Sequence, residues 1–267
     1  RDPESVIREV KELFDNGYRE VTLLGQNVDS YSWKERDKVT GFAGLLELTA
    51  MVSPLLRVRF STSHPKDISD NLLETIARHD NICKHIHLPA QSGSSRILKL
   101  MNREYTREWY MDRISAIRSI IPDCALSTDM IAGFCTETEE DHRDSLSLME
   151  WVGFDFSYMF KYSERPGTKA ARKFKDDVPD EIKTRRLNEI IALQNRLSAH
   201  SKRNDIGKIF KVLAEGTSKR SSEHLSGRTS QNKVVVFPKE NSGKGEYINV
   251  LIERSTSATL IGKIVII

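Results

Sequence analysis

Apolar residues along the first two hundred positions follow two spacings in turn, one typical of strands and the other of helices. Short apolar runs that end in polar turns predict strands, and apolar residues three and four apart predict the helices between them. Strands are expected over residues 20–27, 57–63, 84–89, 126–132 and 154–162, and helices over 2–16, 42–52, 68–76, 95–101, 106–120, from 138 onward and over 179–203. Strands that alternate with helices predict a parallel sheet with right-handed crossovers.

The predicted fold class is therefore α/β. Five strands, with one more expected before residue 1, suit an open, partial (β/α) barrel better than a closed eightfold barrel. A polar turn follows every strand, so a functional site is expected at the carboxyl ends of the strands.

Residues 126–141 contain the most informative of these strand–turn–helix units. The apolar half is expected to form a buried strand, Gly133 lets the backbone turn, and Thr138 followed by Asp141 is a capping-box pattern that begins a helix. The turn amides and the helix N-terminus would face a ligand at the end of this strand. Asp129 is the polar exception within the apolar run, and it is either a binding group or a structural carboxylate.

The pattern changes after about residue 204. Short alternating segments near residues 209–214, 233–237, 247–253 and 258–266, separated by glycine and proline, predict a small all-β barrel of the five-stranded type. The chain is expected to divide into residues 1–203, the partial barrel with a long connecting helix, and residues 204–267, the small barrel. Small barrels of this kind bind oligonucleotides on strand faces and loops.

The charge distribution supports a nucleic-acid partner for the second domain. Residues 201–233 contain eight Lys or Arg and three Asp or Glu, whereas the whole chain has a net charge of +3. A basic C-terminal region indicates a surface that faces nucleic acid, although it is also compatible with an ordinary solvated surface. The candidate phosphate contacts are Lys219, Arg220, Arg228 and Lys233.

Composition narrows the cellular context. No apolar run approaches eighteen residues, so no membrane span is expected. The chain begins without Met and without an apolar leader, which indicates an internal start rather than a signal peptide. Cys83, Cys124 and Cys135 are odd in number and far apart, which favours the reducing cytoplasm over a disulfide framework. None of them has a metal-type spacing.

Polar residues at three strand ends form the candidate binding site. Gln26 follows the first strand in the turn Gly25–Asn27, Gln91 and Ser92 follow the third strand, and Asp129 lies in the fourth. Such groups could hydrogen-bond the ribose, amino group and carboxylate of one medium-sized ligand. They could equally be turn chemistry.

A metal site is the alternative for the histidines. His85 and His87 point to the same side of a strand, and His64 follows the preceding strand. A hydrolytic metal centre needs further ligands at later strand ends, and only Asp129 qualifies. The sequence therefore predicts no metal site.

Four segments of this chain resemble the radical S-adenosylmethionine (SAM) methylthiotransferases. They are LLGQNV at residues 23–28, HLPAQSG at 87–93, STDMIAGF at 127–134 and FKYSERPGT at 160–168. Within that group the chain resembles the tRNA-modifying enzymes, because EGTSKR at 215–220, GRT at 227–229 and NKVVVFP at 232–238 are similar to their RNA-binding TRAM domain. The resemblance implies SAM-dependent 2-methylthiolation of N6-isopentenyladenosine at tRNA position 37, in the anticodon stem-loop.

The resemblance also implies SAM contacts. The amino-group contact is carried onto Gly25 and Gln26, and the ribose and carboxylate contacts are carried onto His87, Gln91, Ser92 and Asp129. Arg165 is carried over as a further cofactor-binding residue, near the substrate or the linking chain. The family holds two 4Fe-4S clusters, one through a CxxxCxxC motif after the first strand and one in an N-terminal domain.

This chain has neither set of cluster ligands. It is therefore expected to be a catalytically incomplete part of the enzyme, with no catalytic residue of its own. The electron donor and the sulfur source stay open. Three alternatives also stay open: a methylthiotransferase for another tRNA adenosine, one for a ribosomal protein, and a non-catalytic RNA-binding protein on a degenerate barrel.

Overall fold

A computed structural model describes residues 1–61 and 64–266, apart from the side chains of Lys38 and Lys169. The last two residues of the second predicted strand, 62–63, lie outside this range. Five parallel strands form the body of the first domain: β1 (Glu20–Leu24), β4 (Arg57–Ser61), β5 (His85–His87), β6 (Ala125–Ala132) and β7 (Phe156–Lys161). β1 pairs with β4, and β5, β6 and β7 pair in that order. An isolated parallel bridge between Val58 and Ile82 joins the two groups.

Helices connect these strands. They are α1 (Pro3–Asp15), α2 (Phe42–Ala50), α3 (Asp70–Arg78), α4 (Ser95–Leu100), α5 (Arg107–Ile120), α6 (Glu139–Val152), α7 (Lys169–Lys173) and α8 (Asp180–Arg203). Side-chain caps explain where several begin, since Asp2 accepts a hydrogen bond from the Ser5 amide and Thr138 forms the expected capping box with Asp141. The open, partial (β/α) architecture predicted from the sequence is confirmed. No described helix has the length and apolar character needed to cross a membrane.

A second set of strands closes into a small barrel: β8 (Ile209–Ser218), β9 (Ser221–Arg228), β10 (Val234–Pro238), β11 (Tyr247–Ser255) and β12 (Leu260–Ile264). Their order around the barrel is β10-β12-β11-β8-β9, and β10 also pairs with β9. The barrel has a core of its own, which includes Val212, Val235 and Phe237. A Cβ on Gly227 would lie 2.2 Å from the Leu213 carbonyl oxygen, so only glycine allows these two strands to approach so closely.

Three strands and one helix were not predicted from the sequence. β9 is polar along most of its length, with Leu225 as its fully buried apolar side chain, and it therefore lacks the alternation that marks a strand. A hairpin of β2 (Ser32–Glu35) and β3 (Lys38–Gly41) lies where neither a strand nor a helix was expected, and it turns at Arg36 with a φ of 52°. α7 is only five residues long, too short for a periodic signal.

The parallel sheet has two faces of different character. The face turned toward the helices is apolar, as where Phe60 packs edge-to-face on Phe42 of α2 with ring centroids 5.3 Å apart. Strand register and the alternation of side chains place a polar and aromatic set on the opposite side. This inner face carries Arg57, Arg59, His85, His87, Ser127, Asp129, Phe156, Tyr158 and Phe160.

The small barrel packs on the inner face at the amino ends of the strands. Part of its contact is the β9–β10 loop, residues 229–233: Arg59 donates to the Thr229 carbonyl at 2.9 Å, and the Lys84 amide donates to Ser230 Oγ at 2.9 Å. Arg57 donates to the carbonyl of Arg228 at 2.5 Å. The two arginines of β4 therefore connect the domains, while the carboxyl ends of the strands stay open.

Candidate functional site

The best-defined part of the site is the connection between β6 and the segment after β5. The Gln91 amide donates to the carbonyl of Asp129 at 2.8 Å, and the Ile131 amide donates to the carbonyl of Gln91 at 2.9 Å. Gln91 adopts a φ of 66°, a left-handed conformation that is uncommon for a residue other than glycine. This turn fixes Gln91 beside Asp129 at the carboxyl end of the sheet, as the sequence predicted.

Asp129 and His87 face each other on the inner face. His87 Nε2 lies 3.5 Å from Asp129 Oδ1, and His87 Nδ1 lies 3.0 Å from Ser127 Oγ. Burial lowers the pKa of His87, while the Asp129 carboxylate opposes that shift. Burial likewise raises the pKa of Asp129, and the charges of His87 and Arg103 oppose it. The imidazole is thus favoured in its neutral form, in which one ring nitrogen accepts and the other donates.

Ser92 does not join this group. Its side chain is buried, with its hydroxyl 3.3 Å from Ser145 Oγ of α6 and accepting a hydrogen bond from the Ser94 amide at 3.2 Å. The neighbouring Gly93 packs so closely on α6 that a Cβ would lie 2.3 Å from the Asp144 carbonyl oxygen. The expected SAM contact at Ser92 is therefore corrected to a packing role, because its hydroxyl faces a helix.

The other predicted contacts lie on exposed loops at the same end of the sheet. Gly25 and Gln26 are exposed after β1, and Arg165 is exposed after β7. No described residue forms an ion pair or hydrogen bond with the Arg165 guanidinium. Asn27 has the clearest structural role, since its side chain donates to the Asp67 carboxylate and accepts from the His64 amide at 3.2 Å. It links the loops after β1 and β4.

A cleft of about 420 Å³ opens beside Gln91. Its lining includes the apolar side chain of Ile131 and the aromatic side chains of Phe134, Tyr162 and Phe174. Basic side chains complete the lining at Lys99, Arg103 and Lys173. Its size and its mixture of apolar walls with a few polar groups are typical of small-molecule sites.

Arg103 is the site residue that the sequence reasoning missed. α4 ends at Leu100, Asn102 adopts a φ of 59°, and the Arg103 amide donates back to the Leu98 carbonyl at 2.9 Å. This left-handed helix end directs the chain over the strand ends. The buried Nε atom of Arg103 has no hydrogen-bond partner among residues 1–61 and 64–266. The sequence signal that could have indicated this helix end is Asn102, which follows the last turn of α4 and precedes the cationic Arg103.

The histidines and cysteines do not assemble a metal site. His85 bonds Ser127 Oγ at 3.0 Å, whereas the His64 ring packs on Tyr105 with centroids 5.7 Å apart. Burial raises the pKa of Cys83 to about 11 and that of Cys124 to about 12, which disfavours the thiolate form that metals bind. Within the described part of the chain, no group of three His, Cys, Asp or Glu could hold a metal ion.

The four predicted RNA contacts do not form one patch. Lys219 and Arg220 lie exposed in the turn between β8 and β9, whereas Arg228 and Lys233 lie at the other end of β9. Arg228 Nε is 3.3 Å from Glu215 Oε1. Lys233 is held between two carboxylates at the domain boundary and is only 15% exposed, so we correct its expected phosphate contact to a structural ion pair.

Comparison with known proteins agrees with this fold. The family model described as the Radical SAM superfamily matches residues 1–149. The chain belongs to the radical SAM superfamily. A second model, described as the TRAM domain, matches residues 203–265.

Two curated relatives of this radical SAM chain have the same name. A protein of Bacteroides fragilis named tRNA-2-methylthio-N(6)-dimethylallyladenosine synthase is 61% identical over 264 residues, covering 98% of this chain and 58% of that protein. A protein of the same name from Porphyromonas gingivalis is 55% identical over 265 residues, covering 99% of this chain and 57% of the relative. The chain thus spans less than two thirds of the length of these relatives.

A solved structure shows the same radical SAM fold. Coproporphyrinogen III oxidase (HemN) from Escherichia coli matches with a TM-score of 0.54 and 17% sequence identity, covering 85% of this chain and 58% of that one. Membership of the radical SAM superfamily implies SAM and a 4Fe-4S cluster as cofactors.

The described residues fit SAM and do not fit the cluster. The unpartnered Nε of Arg103 suits the carboxylate of a ligand, and the Asp129 carboxylate suits its hydroxyl groups. The aromatic cleft suits a purine. A cluster requires cysteine thiolates that converge on one point, and the three cysteines here are separate and protonated by burial.

Proposed function

We propose that this chain is the barrel and RNA-binding portion of a cytoplasmic tRNA methylthiotransferase, which adds a methylthio group to N6-isopentenyladenosine at position 37. The observation that carries the proposal is the group formed by Asp129, His87 and Gln91 beside an open cleft. The chain that carries this group is 61% identical to a protein named tRNA-2-methylthio-N(6)-dimethylallyladenosine synthase. We also propose that the functional division follows the expected boundary, with residues 1–203 binding SAM and residues 204–267 binding RNA.

Three groups of this chain would hold SAM at the strand ends. The Asp129 carboxylate accepts hydrogen bonds from ribose hydroxyls, and neutral His87 keeps that carboxylate oriented from 3.5 Å away. Arg103 offers its unpaired Nε to the carboxylate of the ligand, a charge-assisted hydrogen bond. Ile131 and Phe134 line the apolar wall for the purine. SAM supplies the radical chemistry and the methyl group.

The isolated chain should not turn over, because its cysteines cannot hold the cluster that reduces SAM. Incubated with SAM and dithionite under anaerobic conditions, it should release no 5′-deoxyadenosine above the level of a protein-free control. Release at a rate that scales with protein concentration would contradict this part of the proposal.

The RNA contact is proposed for the turn that carries Lys219 and Arg220. Both side chains are exposed, and neither forms an ion pair within the described residues. Replacing both with Ala should weaken binding of an anticodon stem-loop RNA and lower the salt dependence of log K by about 1 to 2, since each phosphate contact contributes about 0.7 to 0.9. A matched control replaces Lys239 and Lys244, two exposed lysines elsewhere on the same barrel. Equal losses in both double variants would place the RNA surface elsewhere.

The decisive experiment uses the full-length gene in a bacterial strain that lacks this methylthiotransferase. Nucleosides from its tRNA are quantified by mass spectrometry. The unaltered gene should restore 2-methylthio-N6-isopentenyladenosine, and Asp129→Asn should reduce it at least about tenfold, since a lost hydrogen bond to a charged group costs about 1.5–3 kcal/mol. Recovery of a methylthiolated ribosomal protein or of a different tRNA adenosine, with position 37 unmodified, would favour the alternative targets.

A further inference from the structure

Three aromatic side chains lie in a row on the inner face of β7. Phe156, Tyr158 and Phe160 occupy alternate positions of the strand and are 49%, 53% and 50% exposed. The Phe156 and Tyr158 rings meet edge-to-face with centroids 4.9 Å apart. We refer to these three residues as the aromatic row. Half-exposed aromatic side chains grouped in this way are uncommon on a folded surface unless they serve an interaction.

The aromatic row does not belong to the hydrophobic core. The residues between its members, Ser157 and Met159, point to the opposite face, where Ser157 is 1% exposed and Met159 packs on the main core. Within the described chain, β7 pairs only with β6, so no further strand covers the row from the side. The row is therefore available from the open interior of the partial barrel.

The aromatic row borders the proposed SAM site. Tyr158 is the direct register partner of Asp129, and its ring lies edge-to-face with that of His87 at 5.9 Å. Phe160 is the register partner of Ile131, which lines the cleft. A flat group stacked on the row would therefore lie beside a ligand bound at Asp129.

The surrounding charges indicate what kind of group this is. Arg165, on the loop that follows β7, is exposed and has no ion-pair partner among the described residues, and Lys173 lies on the next helix at the cleft. Aromatic side chains with cations nearby are the combination that binds single-stranded nucleic acid, with bases on the rings and phosphates on the cations.

We propose that the aromatic row is the stacking platform for one unpaired nucleobase of the RNA substrate, held on the inner face next to SAM. This inference rests on the proposed function and deepens it, because it assigns the position of the target base. Stacking on an aromatic ring recognises the flat face of a base, and the target base must leave the loop to reach the interior of the barrel.

A double-mutant cycle between protein and RNA tests the proposal directly. The 267-residue chain is titrated with two anticodon stem-loop RNAs, one with adenosine immediately 3′ of the anticodon and one with an abasic site at that position. Tyr158→Ala should weaken binding of the first RNA roughly 5- to 100-fold, and the abasic site should weaken binding to the unaltered chain by a similar factor. Combined, the two changes should cost little more than either alone.

Two control variants accompany the cycle. Tyr158→Phe keeps the ring and should retain binding. Tyr18→Ala removes a tyrosine that is 58% exposed in the turn before β1, and it should leave both affinities unchanged.

Losses that simply add in the cycle would overturn this inference and leave the proposed function standing. Unchanged RNA binding in Tyr158→Ala would overturn it too. If the same change lowers the melting temperature of the full-length protein, the aromatic row is covered by protein and not by RNA. Failure of the unaltered chain to bind either RNA would overturn the RNA part of the proposed function and this inference with it.

Discussion

The Nζ atom of Lys233, in the small barrel, lies 3.1 Å from Oδ1 of Asp155, which directly precedes β7 of the parallel sheet. The same ammonium lies 2.6 Å from Asp205 and 2.8 Å from Ser201 Oγ at the end of α8. Asp155 in turn accepts a hydrogen bond from the Leu126 amide of β6 at 2.9 Å. One cation therefore connects β6, β7, the long helix and the small barrel, at the end of the sheet opposite the proposed SAM site.

Replacing Lys233 with Met should destabilise the chain without removing an RNA contact. The change leaves Asp155 and Asp205 without their shared cation, which costs about 3 kcal/mol when a largely buried pair loses one partner. The free energy of unfolding is measured by urea denaturation. Lys219→Met is the matched control: it should change the free energy of unfolding by less than about 0.5 kcal/mol and should weaken RNA binding. If Lys233→Met instead weakened RNA binding and left the free energy of unfolding unchanged, Lys233 would be an RNA contact after all.

Arg103 and Arg165 are two cations at the same end of the sheet that should respond differently to SAM. Arg103→Met should weaken SAM binding about tenfold or more, since a hydrogen bond to a charged group contributes about 1.5–3 kcal/mol. Arg165→Met should have a smaller effect, because this side chain is exposed and lies on a loop. Isothermal titration calorimetry gives both affinities. A larger loss in Arg165→Met would support the SAM-linked role that the sequence implied for it.

The regular part of the fold could be predicted because its signals are local. Five apolar runs followed by polar turns predicted all five parallel strands, and Thr138 with Asp141 predicted the start of α6. The hairpin of β2 and β3 and the polar strand β9 gave no such signal. These strands form because their backbone groups hydrogen-bond to an adjacent strand. Such pairing does not require an alternation of apolar and polar residues, so a polar strand is not visible in the sequence.

The positions of the candidate site residues could be predicted only where those residues lie at strand ends. Asp129 and Gln91 were placed at strand ends in this way, whereas Arg103 approaches the candidate site from the end of a helix, and no strand pattern points to it. The roles of Ser92 and Lys233 were misjudged for the opposite reason. Their neighbours, Ser145 and Asp155, are more than thirty residues away in sequence, and only the fold shows which partner a polar side chain meets.

The buried imidazole of His85 should make the stability of the chain depend on pH. Burial lowers the pKa of His85 to about 4, below the usual value near 6.5 that it has in the unfolded chain. Between these values only the unfolded state binds the proton, so the free energy of unfolding falls as the pH falls from about 6.5 to 4. His85→Gln has no such proton. The stability difference between the two proteins should shift by up to about 3 kcal/mol in favour of the variant over that range.

Urea denaturation at pH 7 and at pH 4.5 measures this shift. His200→Gln, at an exposed position of α8, controls for the loss of a histidine as such. If the free energy of unfolding instead falls by the same amount in His85→Gln and in the unaltered chain between pH 7 and pH 4.5, groups other than His85 account for the acid sensitivity.

Gly133, in the turn after β6, has no side chain, and this allows α8 to pack closely against the turn. Its φ is 76°, and a Cβ at this position would lie 2.3 Å from Lys183 Cγ of α8. Gly153, the left-handed cap of α6, has a φ of 62°, and a Cβ there would meet no described atom within 4 Å. The two glycines thus share a backbone conformation and differ in the space around it.

Alanine at these two glycines should separate backbone strain from steric conflict. Gly153→Ala should cost about 1–2 kcal/mol, the penalty for a left-handed residue that carries a Cβ. Gly133→Ala should cost at least about 1–3 kcal/mol more, because Lys183 must move and its ion pair with Asp176, at 2.5 Å, moves with it. Combining Gly133→Ala with Lys183→Ala should recover part of that loss, so that the double variant is more stable than the sum of its single changes predicts. In the opposite outcome, the two glycine substitutions cost the same free energy of unfolding, with additive effects in the double variant. That result would show that Lys183 moves aside at no cost and that its packing on the Gly133 turn does not stabilise the fold.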